Sequence, residues 1–191
     1  ADGTGRITVE PGINLIELRK EITARFRKEQ LFWPPDPTET SASIGGIVAS
    51  GAQGISHMLY GETENYIESI RLVDGSGNVR DISRGQKEEI LPGETMDALN
   101  MVLGKEGITG IITRITLKVI PKPEAIWGIV FFFEEKEGAA GFVDMLRSEL
   151  PEAEDAKIAA VEYMDRRSMD LIEARKETMT KIKELPDIEE N

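Results

Sequence analysis

The part of this chain best suited to chemistry is backbone rather than side chain. Gly45, Gly46, Gly51 and Gly54 interrupt a run of small and apolar residues from Ser41 to Gly54, and Pro34, Pro35 and Pro37 lead into it. Glycine lets the main chain approach a ligand closely and aim N–H groups at it, as the start of a helix does for an anion. Ser41 or Ser43 can cap a short helix running to about Ser50, which predicts Gly45 and Gly46 in its first turn, at the positive end of the dipole. The stretch reads as a cradle for an anionic ligand. It is neither a P-loop, since no Gly-Lys-Ser/Thr follows, nor a dinucleotide fingerprint, since the third glycine is missing from its required offset.

Side chains offer less. With no cysteine in the chain, disulfides, thiolate metal sites, cysteine-ligated clusters and cysteine nucleophiles are excluded. The sole histidine, His57, reads as a surface or turn residue, because no neighbour in sequence would orient it for catalysis. Glu162 and Asp165 flank Tyr163 and read as structural carboxylates. No catalytic residue and no metal site can be named.

The elements that must position the glycines follow from periodicity. Ile7 to Glu10 forms a short strand. Asn14 and Glu17 make a capping box, and Leu15, Leu18, Ile22 and Phe26 recur at helical spacing up to about Lys28. The prolines end that helix and force an extended run into the glycine stretch. Past Tyr60 and Gly61, Ile70 to Val73 and Val79 to Ile82 form a hairpin around Asp74-Gly75-Ser76-Gly77-Asn78. Residues 84 to 93 read as a polar loop, and Glu94 or Thr95 as the start of a helix ending at Gly104. After Gly104 to Thr113 comes a half-buried strand whose inward positions are Ile111, Ile115, Leu117 and Val119. Pro121 and Pro123 mark a domain boundary. Beyond it the pattern predicts strand (Ile126 to Phe133), helix (Gly138 to Leu150), strand (Lys157 to Tyr163) and helix (Asp165 to Leu185). The Ile126 to Phe133 run reads as core, and as a sticky edge that could join chains if its partner strands are missing. The charges around Glu134 to Glu137 read as a solvated face.

Composition narrows the partners. A chain of 191 residues suits one good core, or one domain and part of another. Against 23 Lys and Arg stand 35 Asp and Glu, and a net charge of −12 is the wrong sign for a nucleic-acid binder. No apolar run approaches ~20 residues and no signal-peptide pattern opens the chain, which predicts no membrane span and a cytoplasmic protein.

Taken in order, the proline loop, Ile44-Gly45-Gly46, Tyr60-Gly61-Glu62-Thr63, the Leu72 to Val79 hairpin and Gly104 to Thr113 before a long strand resemble one family. They resemble the FAD-binding domain of the vanillyl-alcohol oxidase type, most closely the glycolate oxidase and D-lactate dehydrogenase branch of FAD-linked oxidases. The resemblance implies an α+β fold with a mixed or antiparallel sheet flanked by helices. Residues 1–122 would be the larger, second lobe of a PCMH-type FAD-binding domain, and 123–191 the start of an α+β substrate or cap domain. The first lobe, with its own glycine loop around the pyrophosphate, would precede these residues, and the rest of the cap would follow them.

The resemblance also implies roles. Pro35 and Pro37 would pack near the flavin and adenine ends. Ser43, Ile44, Gly45 and Gly46 would present backbone to pyrophosphate and ribityl, with Ser50, Gly51 and Gly54 continuing that wall. Tyr60 and Gly61 match the family's Tyr-Gly turn. Glu106, Gly107, Gly110 and Ile111 match the loop and strand start beside the adenosine half. Departures occur at Ser50 to Gly54, where the family commonly has an asparagine and paired glycines, and at Ile108, where it commonly has a threonine. The implied activity is oxidation of a small 2-hydroxy acid, lactate- or glycolate-like, by hydride transfer to non-covalent FAD. Electrons would pass on to a carrier protein, a quinone or oxygen, and the isolated chain is expected to be inactive and flavin-poor. Two other readings stay open: a non-catalytic flavin-fold subunit completed by another chain, and an unrelated α+β domain whose glycines only turn corners.

Overall fold

The computed structural model describes residues 3–149 and 156–178. It divides into two compact units, one comprising Ala1–Gly128 with Ile158–Ala160 and the other Ile129–Lys157 with Val161–Asn191.

The first unit is α+β. Strands β1 (Gly5–Val9), β7 (Ile111–Pro121), β3 (Ile67–Val73) and β4 (Val79–Ser83) lie side by side in that order, all antiparallel, and β2 (Leu31–Phe32) pairs with the far end of β7. Helix α1 (Leu15–Arg25) starts at the expected capping box: Asn14 Oδ1 accepts from the Glu17 amide at 2.9 Å, and Glu17 Oε2 accepts from the Asn14 amide at 3.2 Å. Its Leu15, Leu18 and Ile22 are buried. They meet Ile44, Ile47 and Val48 of α2 (Ile44–Ser50) and the inward side chains Ile7, Ile70, Leu72, Ile82, Ile115, Leu117 and Val119 in one core. Each such side chain contributes about 2 kcal/mol by leaving water. Asp74 closes the β3–β4 hairpin by accepting from the amides of Ser76 and Asn78.

Four expectations are corrected. Glu94 does not begin a helix: Lys87–Leu91 (β5) and Glu94–Asp97 (β6) form a two-stranded hairpin, followed by a single 3₁₀ turn at Ala98–Met101. Its glutamates are poor strand formers, so the pairing rests on contacts outside the local sequence. Gly85 N–H donates to Asp97 Oδ2 and the Ala98 amide to the Gln86 carbonyl. Ile111 does not face the core but is 72% exposed. The β3–β7 register shifts between Arg71 and Leu72, leaving Thr113 as an extra residue on β7, so Ile112 takes the inward position. One inserted residue reverses the side-chain alternation.

Ile126–Phe133 and Lys157–Tyr163, whose residues are divided between the two units, are not strands, because no described backbone lies alongside them to complete a ladder. Phe131 and Phe133 instead set their rings against Phe142 of α4 (Lys136–Glu149), at centroid distances of 4.5 and 5.5 Å. Asp165 caps α5 (Arg166–Arg175) by accepting from the Ser168 amide at 2.8 Å. The rest of the helix expected up to Leu185 lies outside the described residues, apart from a 3₁₀ turn at Lys176–Thr178.

Candidate cofactor site

The glycine stretch folds as its composition predicts, but its donors are spent differently. Ser43 caps α2, its hydroxyl accepting from the Gly46 amide at 3.2 Å. The other first-turn amides are also engaged: Ile44 N–H donates to the Ile13 carbonyl and Gly45 N–H to the Pro11 carbonyl, both at 2.8 Å. The loop before α1 therefore lies across the helix start, and the reading of that start as a free anion cradle is corrected. Two glycines are explained in the same way. A Cβ on Gly45 would stand 2.5 Å from Pro11 Cβ, and one on Gly54 would run into the Asp36 carbonyl. Pro35, Pro37 and Ile44 are buried within the chain itself.

What the fold does bring together is the C-terminal end of α2 and the loop before β7. Val48 and Ala49 end a helix whose last carbonyls need partners. Val48 O accepts from the Gly104 amide at 3.2 Å and Ala49 O from the Glu106 amide at 2.8 Å. Gly51 and Gly104, both left-handed with φ of 63° and 68°, cross so closely that a Cβ on Gly51 would sit 3.3 Å from Gly104 Cα. Glu106 is left-handed as well, at φ 54°, a conformation that costs a non-glycine residue roughly 1–2 kcal/mol. Such strain collects at ligand sites.

Donors remain free on this second wall. Within the described residues, the amides of Gly107 and Thr109 have no partner, and Thr109 Oγ1 is buried without one. Nothing lies within 4 Å of a Cβ on Gly107. Gly46 and Ser50 of α2 and Glu106 and Gly107 of the loop are exposed, while Ile111 projects outward from the strand that follows the loop. Gly110, at φ 148°, leaves no room for a side chain: a Cβ there would stand 2.5 Å from the Val73 carbonyl oxygen. Bare backbone with unspent N–H groups and an orphaned hydroxyl is the donor chemistry that suits a cofactor bearing phosphates and sugar hydroxyls. Thr109 was absent from the sequence-derived set. The signal was there, since it is a threonine one residue after Ile108, where the resembled family commonly has one.

Tyr60 and Gly61 lie in the segment between α2 and β3. Tyr60 stacks edge-on against Phe32 at 5.5 Å, and burial raises its phenol above the ordinary range. Gly61, at φ 73°, ends the short helix α3 (His57–Tyr60). The Thr63 hydroxyl then donates to the Ala52 carbonyl at 2.6 Å, tying the turn after α2 to the core. Thr63 is 2% exposed, so Thr63→Val is expected to cost about 1–3 kcal/mol of stability in urea unfolding, with Thr63→Ser recovering most of it. An unchanged midpoint in Thr63→Val would show that the bond does not hold the turn.

Comparison with known proteins agrees with this architecture. Residues 1–83 match the FAD binding domain family. The chain is similar to FAD-linked oxidases of the glycolate oxidase and D-lactate dehydrogenase branch, and the match supports FAD as the cofactor. It is 31% identical to a D-lactate dehydrogenase of Anaerostipes hadrus over 131 residues, covering 69% of this chain and 26% of the relative. It is 29% identical to glycolate oxidase subunit GlcD of Bacillus subtilis over 170 residues, covering 87% of this chain and 33% of the relative. Among solved structures it is similar to alkyldihydroxyacetonephosphate synthase, with a TM-score of 0.61 and 25% identity, covering 76% of this chain and 25% of that one. The chain thus spans about a quarter to a third of the length of these relatives. No helix among the described residues is long and apolar enough to cross a membrane, and no cluster of His, Cys, Asp and Glu among them could hold a metal ion.

Proposed function

We propose that this chain supplies one wall of the FAD site of an oxidoreductase that oxidises the CH–OH group of a small 2-hydroxy acid of the lactate or glycolate type. The observation that carries this is the joining of α2 to the Gly104–Gly110 loop through the Gly104 and Glu106 amides, in a loop where the donors of Gly107 and Thr109 stay unspent. FAD, when bound, would supply the hydride acceptor for oxidation of the carbinol carbon. The residues of this chain bind and orient it. Gly107 and Thr109 donate through backbone and hydroxyl, Gly46 and Ser50 offer open surface on α2, and Glu106 and Gly110 hold the loop. Ser43, Ile44, Gly45, Gly51, Gly54, Pro35, Pro37, Tyr60 and Gly61 support this wall through packing, and Ile111 borders it.

The names of the relatives support the substrate class, which belongs to the whole protein. In this proposal residues 1–122 form the second lobe of the FAD-binding domain and 123–191 begin the cap. Polypeptide outside this chain completes the site and supplies the catalytic groups. A carrier protein or quinone takes the electrons, and the protein works in the cytoplasm.

Titrating FAD into the ¹⁵N-labelled chain tests the wall. We expect weak binding that shifts the amides of Gly46, Ser50, Gly107 and Thr109, without turnover of lactate or glycolate. FAD that leaves those four amides unmoved overturns the site. Tight stoichiometric binding by this chain alone overturns the claim that outside polypeptide completes it.

A further inference from the structure

The face of the sheet turned away from α1 and α2 carries chemistry that an FAD wall does not require. Thr8 lies opposite Thr116, Thr116 opposite Ser69, and Ser69 opposite Ser83. Four hydroxyl side chains therefore form one transverse row across β1, β7, β3 and β4. Ser69 reaches this row because the β3–β7 register shifts between Ile67 and Ser69, leaving Glu68 as an extra residue. Bulges of this kind re-aim side chains next to functional sites. Thr8 and Thr116 share one hydrogen bond at 3.0 Å, whereas the hydroxyls of Ser69 and Ser83 have no partner among the described residues.

Beside the row, Arg71 lies directly opposite Arg114 on one neighbouring strand and Asp81 on the other. Asp81 accepts from Arg71 Nε at 2.8 Å and Nη2 at 2.7 Å, and from Arg114 Nη2 at 3.3 Å. The Arg71 hydrogen bond holds the Asp81 carboxyl below its usual range, so it is ionised at neutral pH. Like charges directly opposed across a ladder destabilise a sheet, and one carboxylate between two guanidiniums leaves a positive charge over. On the other side of the row Arg6 lies opposite Lys118, with Glu68 accepting from Arg6 at 3.1 and 3.2 Å. This cationic excess sits on a chain whose net charge is −12. Cross-strand ion pairing that merely stabilised the sheet would account for Arg71 with Asp81. It would not account for Arg114 set against Arg71, or for unspent hydroxyls alongside.

Thr8, Ser69, Arg71, Ser83, Arg114 and Thr116 line one concavity, together with Ile70 and Asp81. We propose that this concavity binds a phosphate-class dianion, held by the guanidinium groups of Arg71 and Arg114 and the hydroxyls of Ser69, Ser83 and Thr116. The donor count favours a tetrahedral oxyanion over a carboxylate, whose two oxygens would leave several of these groups unused. Asp81 prevents the two arginines from repelling each other before the anion arrives.

The test is a titration of the ¹⁵N-labelled full chain with inorganic phosphate, against chloride at matched ionic strength. Saturable shifts are expected at Ser69, Arg71, Ser83, Arg114 and Thr116, a set separate from the amides assigned to FAD. Either proposal can therefore fail without the other. Arg114→Gln, which leaves the Arg71–Asp81 pair in place, should weaken phosphate binding about tenfold. Arg80→Gln should not, because Arg80 pairs with Glu88 away from this concavity. A parallel arm uses phosphatidylcholine vesicles with and without phosphatidic acid. Shifts with free phosphate support a small soluble ligand, and sedimentation only with phosphatidic acid, lost in Arg114→Gln, supports a lipid headgroup as the source. Shifts that match those in chloride, with no sedimentation, overturn the site, as does binding that survives Arg114→Gln.

Discussion

Gly54→Ala is expected to destabilise the first unit by about 3 kcal/mol or more, read as a drop in the urea unfolding midpoint. The added methyl group would land on the carbonyl of Asp36, and a backbone atom cannot turn aside as a flexible side chain can. Relief would require moving the proline loop that leads into α2, and with it Trp33, which is 2% exposed in the core. Gly107→Ala provides the contrast. No atom lies within 4 Å of that Cβ, so only the left-handed backbone, φ 82°, opposes it, at roughly 1–2 kcal/mol. The expected order, Gly54 well above Gly107, separates a glycine demanded by the chain's own packing from one that leaves space for a ligand. Equal costs would remove that distinction.

Ile115→Ala should cost about 2–5 kcal/mol. Ile115 is fully buried, opposite Val9 on one side and Ile70 on the other, so its loss leaves a cavity that two strands cannot collapse to fill. Ile111→Ala, four residues earlier on the same strand, should change stability by less than about 0.5 kcal/mol, because Ile111 is 72% exposed. Simple alternation would make the two substitutions equal. The difference between them measures the Thr113 bulge directly, and comparable losses would mean that Ile111 packs inward.

How much of this was legible beforehand depended on how local the cause was. The capping box at Asn14, the Ser43 cap and the Asp74 turn are decided by side chains reaching backbone a few residues away, so the sequence displays them. The inward positions Ile70, Leu72, Ile82, Ile115, Leu117 and Val119 follow from period-two patterning over unbroken stretches. The order of the glycine and proline motifs was sufficient to point to the FAD-linked oxidases. The β5–β6 hairpin was not legible, because its glutamate-rich strands are held by Asp97 and Gln86 rather than by their own propensity.

The sequence by itself determined where backbone would be bare: four glycines between Ser41 and Gly54, and more from Gly104 to Gly110. It could not determine which of those N–H groups would stay free. Only the tertiary structure decided that the amides of Ile44 and Gly45 go to Ile13 and Pro11 while those of Gly107 and Thr109 remain unspent. The physical reason is that a backbone donor takes the nearest acceptor in space, and that acceptor belongs to a loop over thirty residues away along the chain, a pairing that no local pattern encodes.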